Sequence, residues 1–226
     1  MEAECGNSKE AISVATLRRM PTYLRYLKIA REKGVENVSS VTMAKDLNLN
    51  SVQVKKDIGF ASKVPGKPKI GFNVAELIAD IEELLGCYNI KDAVLVGVGK
   101  LGKTLLSYNG FKNFGLNVVA AFDENPMLWN TEINGKVIYP VSKIPDILKQ
   151  SGAKMGIIAV PKSAAQEVCD KLVSSGVKGI WNFAAAHLNV PDGIALKNED
   201  LAASLAILSQ QLTEILRNEQ LGAAKK

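Results

Sequence analysis

The most constraining feature of this chain is a glycine-rich segment that directly follows a run of apolar residues. The run Ala93–Val98 (AVLVGV) has the character of a parallel strand buried on both faces, and a helical pattern follows it. Glycines at the GxGxxG spacing permit a tight turn, a close approach to a pyrophosphate, and close packing of helix on strand. The sequence therefore predicts a dinucleotide site, with the helix N-terminus facing the phosphates, formed by Gly97, Val98, Gly99, Lys100, Leu101 and Gly102.

One acidic residue favours a particular class of dinucleotide. Asp123 follows the apolar run Asn117–Phe122 and lies 21 residues after Gly102. A carboxylate at the end of the second strand accepts hydrogen bonds from the adenosine ribose and repels a 2′-phosphate. The positive charge of Lys100 mildly favours a 2′-phosphate instead. The pattern favours NADH/NAD+ as the ligand. The competing interpretation is a glycine turn followed by a surface aspartate.

Apolar runs and helical patterns alternate through the rest of this region. Further strands are predicted at Lys136–Tyr139, Met155–Val160 and Lys178–Phe183, and helices at Lys103–Phe111, Val141–Gln150 and Ser163–Ser175. This alternation predicts an α/β fold with a Rossmann-type, doubly wound parallel sheet. Residues at the strand ends either approach the nicotinamide half of the ligand or simply end their strands, and both interpretations stay open for Val160, Pro161 and Phe183.

The first third of the chain differs from the remainder in charge. Residues 11–72 carry 12 Lys or Arg against 4 Asp or Glu, a net charge of +8 in a chain whose total is +5. The remainder therefore carries −3. This asymmetry indicates a polyanionic partner for the basic segment alone.

The basic segment also has the pattern of a winged-helix DNA-binding domain. A helix is predicted from Ser13 to Gly34, a second one after Ser39, and a third, capped by Ser51, up to about Phe60. The segment Lys63–Phe72 is rich in Pro, Gly and Lys, which predicts a β-hairpin, the wing. We expect contacts to DNA bases and phosphates from Ser51, Gln53, Lys55, Lys56, Lys67 and Lys69. Any one of these lysines is equally well explained as a solvated surface charge.

Two further helical segments complete the organisation. Asn73–Leu85 is amphipathic and is expected to link two domains. A segment from Asp200 to about Arg217 carries more apolar surface than an isolated helix needs, which indicates a subunit contact. We expect a DNA-binding domain at residues 1–86, a dinucleotide-binding domain at 87–198 and a C-terminal dimerisation helix at 199–226.

Composition argues against several classes of protein. The sequence contains no run of 18 or more apolar residues, so no membrane span is predicted, and the first residues do not resemble a secretory signal. Cys5, Cys87 and Cys169 have no CxxC spacing, so we expect free thiols in a reducing cytoplasm and no metal site. The single histidine, His187, lies in an expected loop, which favours a structural role over acid–base catalysis.

Taken together, these segments resemble the redox-sensing transcriptional repressor family Rex, from about Ile12 to Arg217. The matching segments are Thr16–Leu27, Ser51–Asp57, Gly66–Phe72, Leu95–Gly102, Tyr108–Asn109, Phe122–Asp123 and Asn182–Pro191. The resemblance implies a homodimer that binds a palindromic operator in double-stranded DNA when NADH is scarce. It also implies that NADH closes the dimer and releases the DNA.

The resemblance extends to the C-terminal helix and to individual residues. It implies that this helix is domain-swapped between subunits, that Tyr108 is a cofactor-binding residue, and that Arg19, Tyr108 and Asp200 couple the nicotinamide state to domain position. An Arg–Asp pair whose partner changes is a bistable element. The chain departs from the family at Lys55 and Lys56, where at least one Arg is common and lysine lacks the planar fork. This departure leaves operator affinity and sequence preference open.

Two other functions stay open on the residues alone. An NAD-dependent dehydrogenase needs a positioned acid or base and a substrate domain, yet only about 45 residues follow the dinucleotide unit. An NAD(H)- or CoA-binding partner module without intrinsic DNA binding explains the fold, but it does not explain the basic segment. We therefore expect a repressor rather than an enzyme.

Overall fold

The computed structural model describes residues 12–88 and 91–223. The chain forms two compact units, and the main division between them falls before Lys91. The first unit holds the basic segment and the second holds the glycine loop.

Helices dominate the described part of the first unit. They are α1 (Val14–Glu32), α2 (Ser40–Asp46), α3 (Ser51–Ala61) and α4 (Val74–Leu84). A two-residue strand that the sequence did not predict, β1 (Asn37–Val38), pairs antiparallel with β2 (Phe72–Asn73). The helices bury one apolar cluster, which includes Met20, Tyr23, Leu24, Leu27, Met43, Val54, Ile58, Leu77 and Ile81.

Each of these helices begins at a polar side chain that accepts a hydrogen bond from the helix backbone. The caps are Ser13, Ser39, Asn50 and Asn73, and a cap of this kind stabilises a helix by about 1 kcal/mol. The predicted cap Ser51 is wrong by one residue. Asn50 Oδ1 accepts from the N–H groups of Val52 and Gln53, so Ser51 becomes the first residue of α3.

The expected wing, Lys63–Phe72, is shorter than a regular β-hairpin. Within it, Lys67 and Gly71 form a single antiparallel bridge, with N···O distances of 2.8 and 2.9 Å. Two prolines in the segment lack the N–H groups that would extend the ladder. Phe72 pairs with β1 instead, so the hairpin prediction is corrected to a bridged turn followed by a short ribbon.

The second unit contains a seven-stranded sheet in the order β5-β6-β4-β3-β7-β8-β9. The strands are β3 (Lys91–Val96), β4 (Leu116–Asp123), β5 (Glu132–Ile133), β6 (Lys136–Pro140), β7 (Met155–Ile158), β8 (Gly179–Asn182) and β9 (Ala195–Asn198). All neighbouring strands are parallel except β5, which runs antiparallel to β6. From β6 to β9 this is the Rossmann order, and the connection reverses direction between β3 and β7. The predicted α/β class is confirmed.

Helices cover both faces of this sheet. They are α5 (Lys100–Ser107), α6 (Ile144–Ser151) and α7 (Ala165–Ser174), and α8 (Leu201–Ala223) follows β9. Alternate residues of β3 enter different clusters, since Val94 packs with α6 and α7 while Leu95 packs with Leu106 of α5. The strand is therefore buried on both faces, as its continuous apolar sequence predicts.

Helix α8 presents apolar side chains that the rest of the described chain leaves uncovered. Their exposed fractions lie between 48% and 63%, for Leu205, Ile207, Leu208, Leu212, Ile215 and Leu216. No helix in residues 12–88 or 91–223 is long and apolar enough to cross a membrane.

Candidate functional site

The glycine loop lies where the sheet reverses its winding direction. Gly97 has a φ of +97°, and a Cβ atom there would lie 2.5 Å from the carbonyl oxygen of Ala159 and 2.8 Å from Cγ1 of Val160. The loop after β3 and the segment after β7 therefore touch through Gly97. The sequence analysis assigned Gly97 only to the turn, and it placed Val160 within a strand that in fact ends at Ile158. Val160 is half-buried and Pro161 is exposed.

The other two glycines of the motif have different surroundings. A Cβ atom on Gly102 would lie 1.8 Å from the carbonyl oxygen of Gly97, so only glycine lets α5 pack this closely. Gly99 is the N-cap of α5, is exposed, and has no described atom within 4 Å of its Cβ position. No side chain caps this helix, so its first N–H groups are available to an anion. Lys100 and Leu101 are exposed beside it, whereas Val98 is buried.

Asp123 fastens the glycine loop to the end of β4. Its Oδ2 accepts a hydrogen bond from the N–H of Val98 at 2.6 Å, and its Oδ1 accepts from the N–H of Asn125 at 2.8 Å. The indole N–H of Trp129 donates to the Asp123 carbonyl oxygen at 2.9 Å. Each carboxylate oxygen keeps a further lone pair, so the half-buried Asp123 can still accept a ribose hydroxyl. The sequence predicted a ribose contact but not this clamp.

A row of aromatic rings brings two of the predicted ligand residues together. The ring centroids of Tyr108 and Phe111 are 4.9 Å apart, those of Phe111 and Trp181 are 5.3 Å apart, and those of Trp181 and Phe183 are 4.8 Å apart. Tyr108 is exposed and Phe183 is half-buried, so the row runs from the surface into the unit. Phe111 and Trp181 belong to this row, although the sequence analysis did not select them.

The end of β8 holds the junction that leads into α8. Asn182, fully buried, donates to Asn198 Oδ1 at 2.8 Å and bonds to the backbone of the loop that follows it. The neighbouring Trp181 donates from Nε1 to Glu199 Oε1 at 2.9 Å. Asp200 then accepts a hydrogen bond from a backbone N–H in the first turn of α8. The contacts to β8 come from Asn198 and Glu199, the two residues that precede the predicted coupling residue Asp200, whose own side chain bonds to α8.

In the first unit, the structure brings several predicted DNA contacts to one groove. A groove of about 500 Å³ lies between α3, the start of α2 and the wing, and its lining includes Lys55, Lys67, Lys69 and Gly59. Ser51, Lys55, Lys56, Lys67 and Lys69 are exposed. Among the described residues, none of these four lysines forms an ion pair. Their charges are available to a polyanion.

Three other cations of the basic segment are neutralised within the unit. Arg19 pairs with Asp57, while Lys28 and Lys63 each pair with a glutamate of α4. The net charge of +8 therefore resides mainly on cations that face solvent. Nine further cations of residues 11–72 form no described ion pair; four of them lie on α3 and the wing, and five precede α3, namely Arg18, Arg25, Arg31, Lys33 and Lys45.

Gln53 is the predicted DNA contact that the structure places differently. It is half-buried, and its Nε2 donates to Asp57 Oδ1 at 2.9 Å. The same carboxylate accepts from Arg19 Nε at 2.6 Å, Arg19 Nη2 at 2.9 Å and the Tyr23 hydroxyl at 2.8 Å. Sequence reasoning missed Asp57, whose only local signal was an acid inside a basic helix.

The Asp57 network shifts the titration of its members. Burial would raise the pKa of Asp57, but hydrogen bonds from Arg19, Tyr23 and Gln53 outweigh it and lower that pKa. Burial and the bond to Asp57 raise the pKa of Tyr23 to about 12. The bond to Asp57 also raises the pKa of Arg19. Carboxylate and guanidinium therefore stay charged across the physiological range.

The cysteines and the histidine do not converge on a site in the part of the chain described. Cys87 is half-buried, Cys169 is buried, and burial raises the pKa of the Cys169 thiol. His187 is exposed, and Cys5 lies outside the described residues. Residues 12–88 and 91–223 contain no group of three or more His, Cys, Asp or Glu side chains that suits a metal ion.

Comparison with protein-family models matches both units separately. A model described as a CoA binding domain matches residues 89–186. A model described as the N-terminus of putative DNA-binding proteins matches residues 11–58. The first match covers the glycine loop and the sheet up to β8, and the second covers α1, α2 and most of α3.

Relatives match most of the chain. The redox-sensing transcriptional repressor Rex of Porphyromonas gingivalis is 36% identical over 200 residues, which cover 88% of this chain and 91% of the relative. The Rex protein of Bacteroides fragilis is 38% identical over 197 residues, covering 87% and 89%. These matches include both units.

Two solved structures match nearly the full length of the chain. The Rex-family repressor RSP in complex with β-NAD⁺ and operator DNA superposes with a TM-score of 0.85 at 31% identity, covering 94% of this chain and 97% of that one. The RSP complex with β-NADH superposes with a TM-score of 0.83 at 31% identity, covering 93% and 99%.

Proposed function

Because the chain belongs to the Rex family of redox-sensing transcriptional repressors, we propose that it binds operator DNA through its first unit and releases it when NADH binds the second. One observation carries this proposal: a single chain holds both a clamped glycine loop and a lysine-lined groove beside a recognition helix. It acts as a regulator rather than as an enzyme. Its place is the cytoplasm, where the DNA is.

The dinucleotide lies across the carboxyl ends of β3, β4 and β7. Its pyrophosphate faces the uncapped start of α5 at Gly99, where open space and helix N–H groups favour an anion. The adenosine ribose binds Asp123, whose charge disfavours a 2′-phosphate. The nicotinamide lies toward Val160, Pro161 and the aromatic row that ends in Tyr108 and Phe183. This assignment makes NADH and NAD⁺ the regulatory ligands.

The DNA-binding surface consists of the exposed residues of α3 and the wing. Ser51, Lys55 and Lys56 enter the major groove with α3, while Lys67 and Lys69 contact the phosphate backbone. The DNA-binding domain is residues 1–86 and the dinucleotide domain is residues 87–198.

The chain acts as a homodimer through residues 199–226. Six apolar side chains of α8 are about half exposed or more, and exchange of this helix with a second copy covers them. Leu208→Glu at the middle of this face is expected to shift the chain from dimer to monomer in light scattering. An exposed polar position on the opposite side of the same helix, Thr213→Glu, is the matched control. A Leu208→Glu variant that stays dimeric contradicts the role of α8.

Arg19, Tyr108 and Asp200 couple the two ligands. Arg19 is bound by Asp57, so its guanidinium must leave that carboxylate in order to pair with Asp200. Asp200 is exposed at the start of α8, and Tyr108 is exposed at the edge of the aromatic row. The change of partner gives two alternative states that the nicotinamide can bias.

The decisive experiment is a DNA-binding titration on a palindromic operator with NADH, with NAD⁺ as the control ligand. Tight binding that NADH alone reverses supports the proposal. Binding that no nucleotide affects separates the two units functionally and rejects redox sensing.

The match to a CoA-binding model favours one alternative, a CoA-binding partner module. Calorimetry with CoA and NADH distinguishes the two. If CoA binds, NADH does not, and the operator is not bound, the alternative replaces the repressor.

A further inference from the structure

Asp57 withdraws the amide of Gln53 from the surface that would meet a base. The carboxylate is 1% exposed and lies on the buried side of α3 with Val54, Ile58 and Ala61. It accepts four hydrogen bonds, including the one from Gln53 Nε2. A glutamine reads adenine by accepting from N6 with its amide oxygen while donating to N7 from its amide NH2 group, so a glutamine whose NH2 group is held by Asp57 does not fit that role.

The exposed side of α3 is a different set of residues. Val52, Lys55, Lys56 and Gly59 follow the spacing of one helix face, and all of them are exposed. Lysine charges bind any phosphate and any base acceptor nearby. Of these four, only the branched apolar side chain of Val52 distinguishes bases by an apolar contact.

Val52 has no described structural role that accounts for its position. It is 75% exposed at the second residue of α3, and it is not part of the apolar cluster of the unit. The start of a recognition helix is the part that reaches base edges in the major groove. Among the bases, thymine alone offers an apolar group there, the C5-methyl.

Gly59, further along the same face of α3, supports a close approach by DNA. Glycine destabilises the interior of a helix relative to alanine, and Gly59 has neither a positive φ nor a described atom within 4 Å of its Cβ position. Packing within the described unit therefore does not require glycine there. Because Gly59 has no side chain, the lysine-lined groove is deeper at this position, and a duplex can approach the helix backbone.

We propose that Val52 is a specificity-determining residue that contacts the C5-methyl group of one thymine in each operator half-site. The inference rests on the proposed DNA-binding function. It excludes Gln53 as a base-reading residue.

The test is a uracil scan of an operator that the full-length chain selects from a random duplex pool. Each thymine of one half-site is replaced by uracil in turn, which removes only the methyl group, and affinity is measured by fluorescence anisotropy at fixed salt. One replacement is expected to weaken binding of the wild type about fourfold, the effect of exposing one buried methyl group. Val52→Ala is expected to bind the thymine duplex about as weakly and to be insensitive to that replacement.

Two variants serve as controls. Val14→Ala removes another exposed valine, 65% exposed on α1, and is expected to leave the whole scan unchanged. Gln53→Ala is expected to leave base discrimination unchanged at every position. Circular dichroism checks that each variant keeps its helical content.

Each remaining outcome is decisive. If no uracil replacement depends on residue 52, Val52 does not read a thymine methyl and the inference is rejected. If Gln53→Ala relaxes discrimination at an adenine, Gln53 reads bases and the inference is also rejected. If no duplex is selected at all, the proposed DNA-binding function itself fails.

Discussion

The bond between Arg19 and Asp57 provides a prediction whose size follows from the burial of its members. Removing one partner of a buried ion pair costs about 3–5 kcal/mol, because the other charge is left uncompensated. Arg19 is 28% exposed, and Tyr23 and Gln53 remain as donors to Asp57. We therefore expect Arg19→Ala to lower the free energy of unfolding of the first unit by about 3 kcal/mol, the lower end of that range.

The loss is expected to depend on pH in a particular direction. In the wild type the pKa of Asp57 is lowered, so the pair stabilises the fold above the unfolded-state pKa, and this stability disappears as pH falls through the folded-state value. In Arg19→Ala the carboxylate remains buried without its guanidinium, so its pKa rises. The difference between wild type and variant is therefore largest near neutral pH and narrows below about pH 4.

The two units can be followed separately in this assay. Both tryptophans of the chain, Trp129 and Trp181, lie in the second unit, so their fluorescence reports that unit alone. Far-ultraviolet circular dichroism reports the helices of both units. In denaturant titrations, Arg19→Ala is expected to shift the circular-dichroism transition of the first unit. The tryptophan-fluorescence transition of the second unit is expected to stay unchanged.

A matched control is the exposed pair Lys63–Glu83, whose side chains are 57% and 61% exposed. Lys63→Ala is expected to change the free energy of unfolding far less, because water screens an exposed ion pair. An Arg19→Ala variant that loses no more than this control, or whose loss is the same at neutral and acidic pH, would refute the reasoning.

Three further predictions concern the two ligand sites. Gly102→Ala is expected to destabilise the second unit and to abolish NADH binding, because its Cβ would lie 1.8 Å from a backbone oxygen of the loop, whereas Gly99→Ala should keep the fold and weaken only NADH binding, because its Cβ would enter the space proposed for the pyrophosphate; equal denaturation midpoints of tryptophan fluorescence in the two variants would contradict this. Asp123→Ala is expected to weaken NADH binding and to reduce selectivity against NADPH, and unchanged calorimetric affinities would exclude its ribose role. The double variant of Lys55 and Lys56 to Ala should weaken operator binding and lower the salt dependence by about one unit of slope for each lost phosphate contact; an unchanged slope would show that both lysines face solvent in the complex.

The glycine loop was predictable because the conformation of each part of it depends on residues that are close in sequence. The turn at Gly97 and the packing at Gly102 depend on residues a few positions apart, and the helix start follows directly. Asp123 was predictable from its place after an apolar run. The clamp from Asp123 to the N–H of Val98 was not, because it spans 25 residues and exists only once β3 and β4 are paired.

In the first unit, the helices were predictable, but the short strand and the contacts between residues far apart in sequence were not. The three helices were predictable from spacing and capping residues, but the two-residue strand β1 carries no periodic signal. Arg19 and Asp57 are 38 residues apart, and nothing local marks them as partners. Gln53 was therefore assigned to DNA by residue type, although the fold turns its amide toward Asp57.

The two-sided construction of α3 has a consequence for how regulators of this kind diverge. The side that contains Asp57 packs into the apolar cluster and the hydrogen-bond network of the unit, whereas positions 52, 55, 56 and 59 are exposed. Substitutions at these four positions can accumulate without unfolding the unit, so a population of such chains can explore new operators one residue at a time. The same separation makes these four positions a compact library for redirecting the chain to a chosen promoter.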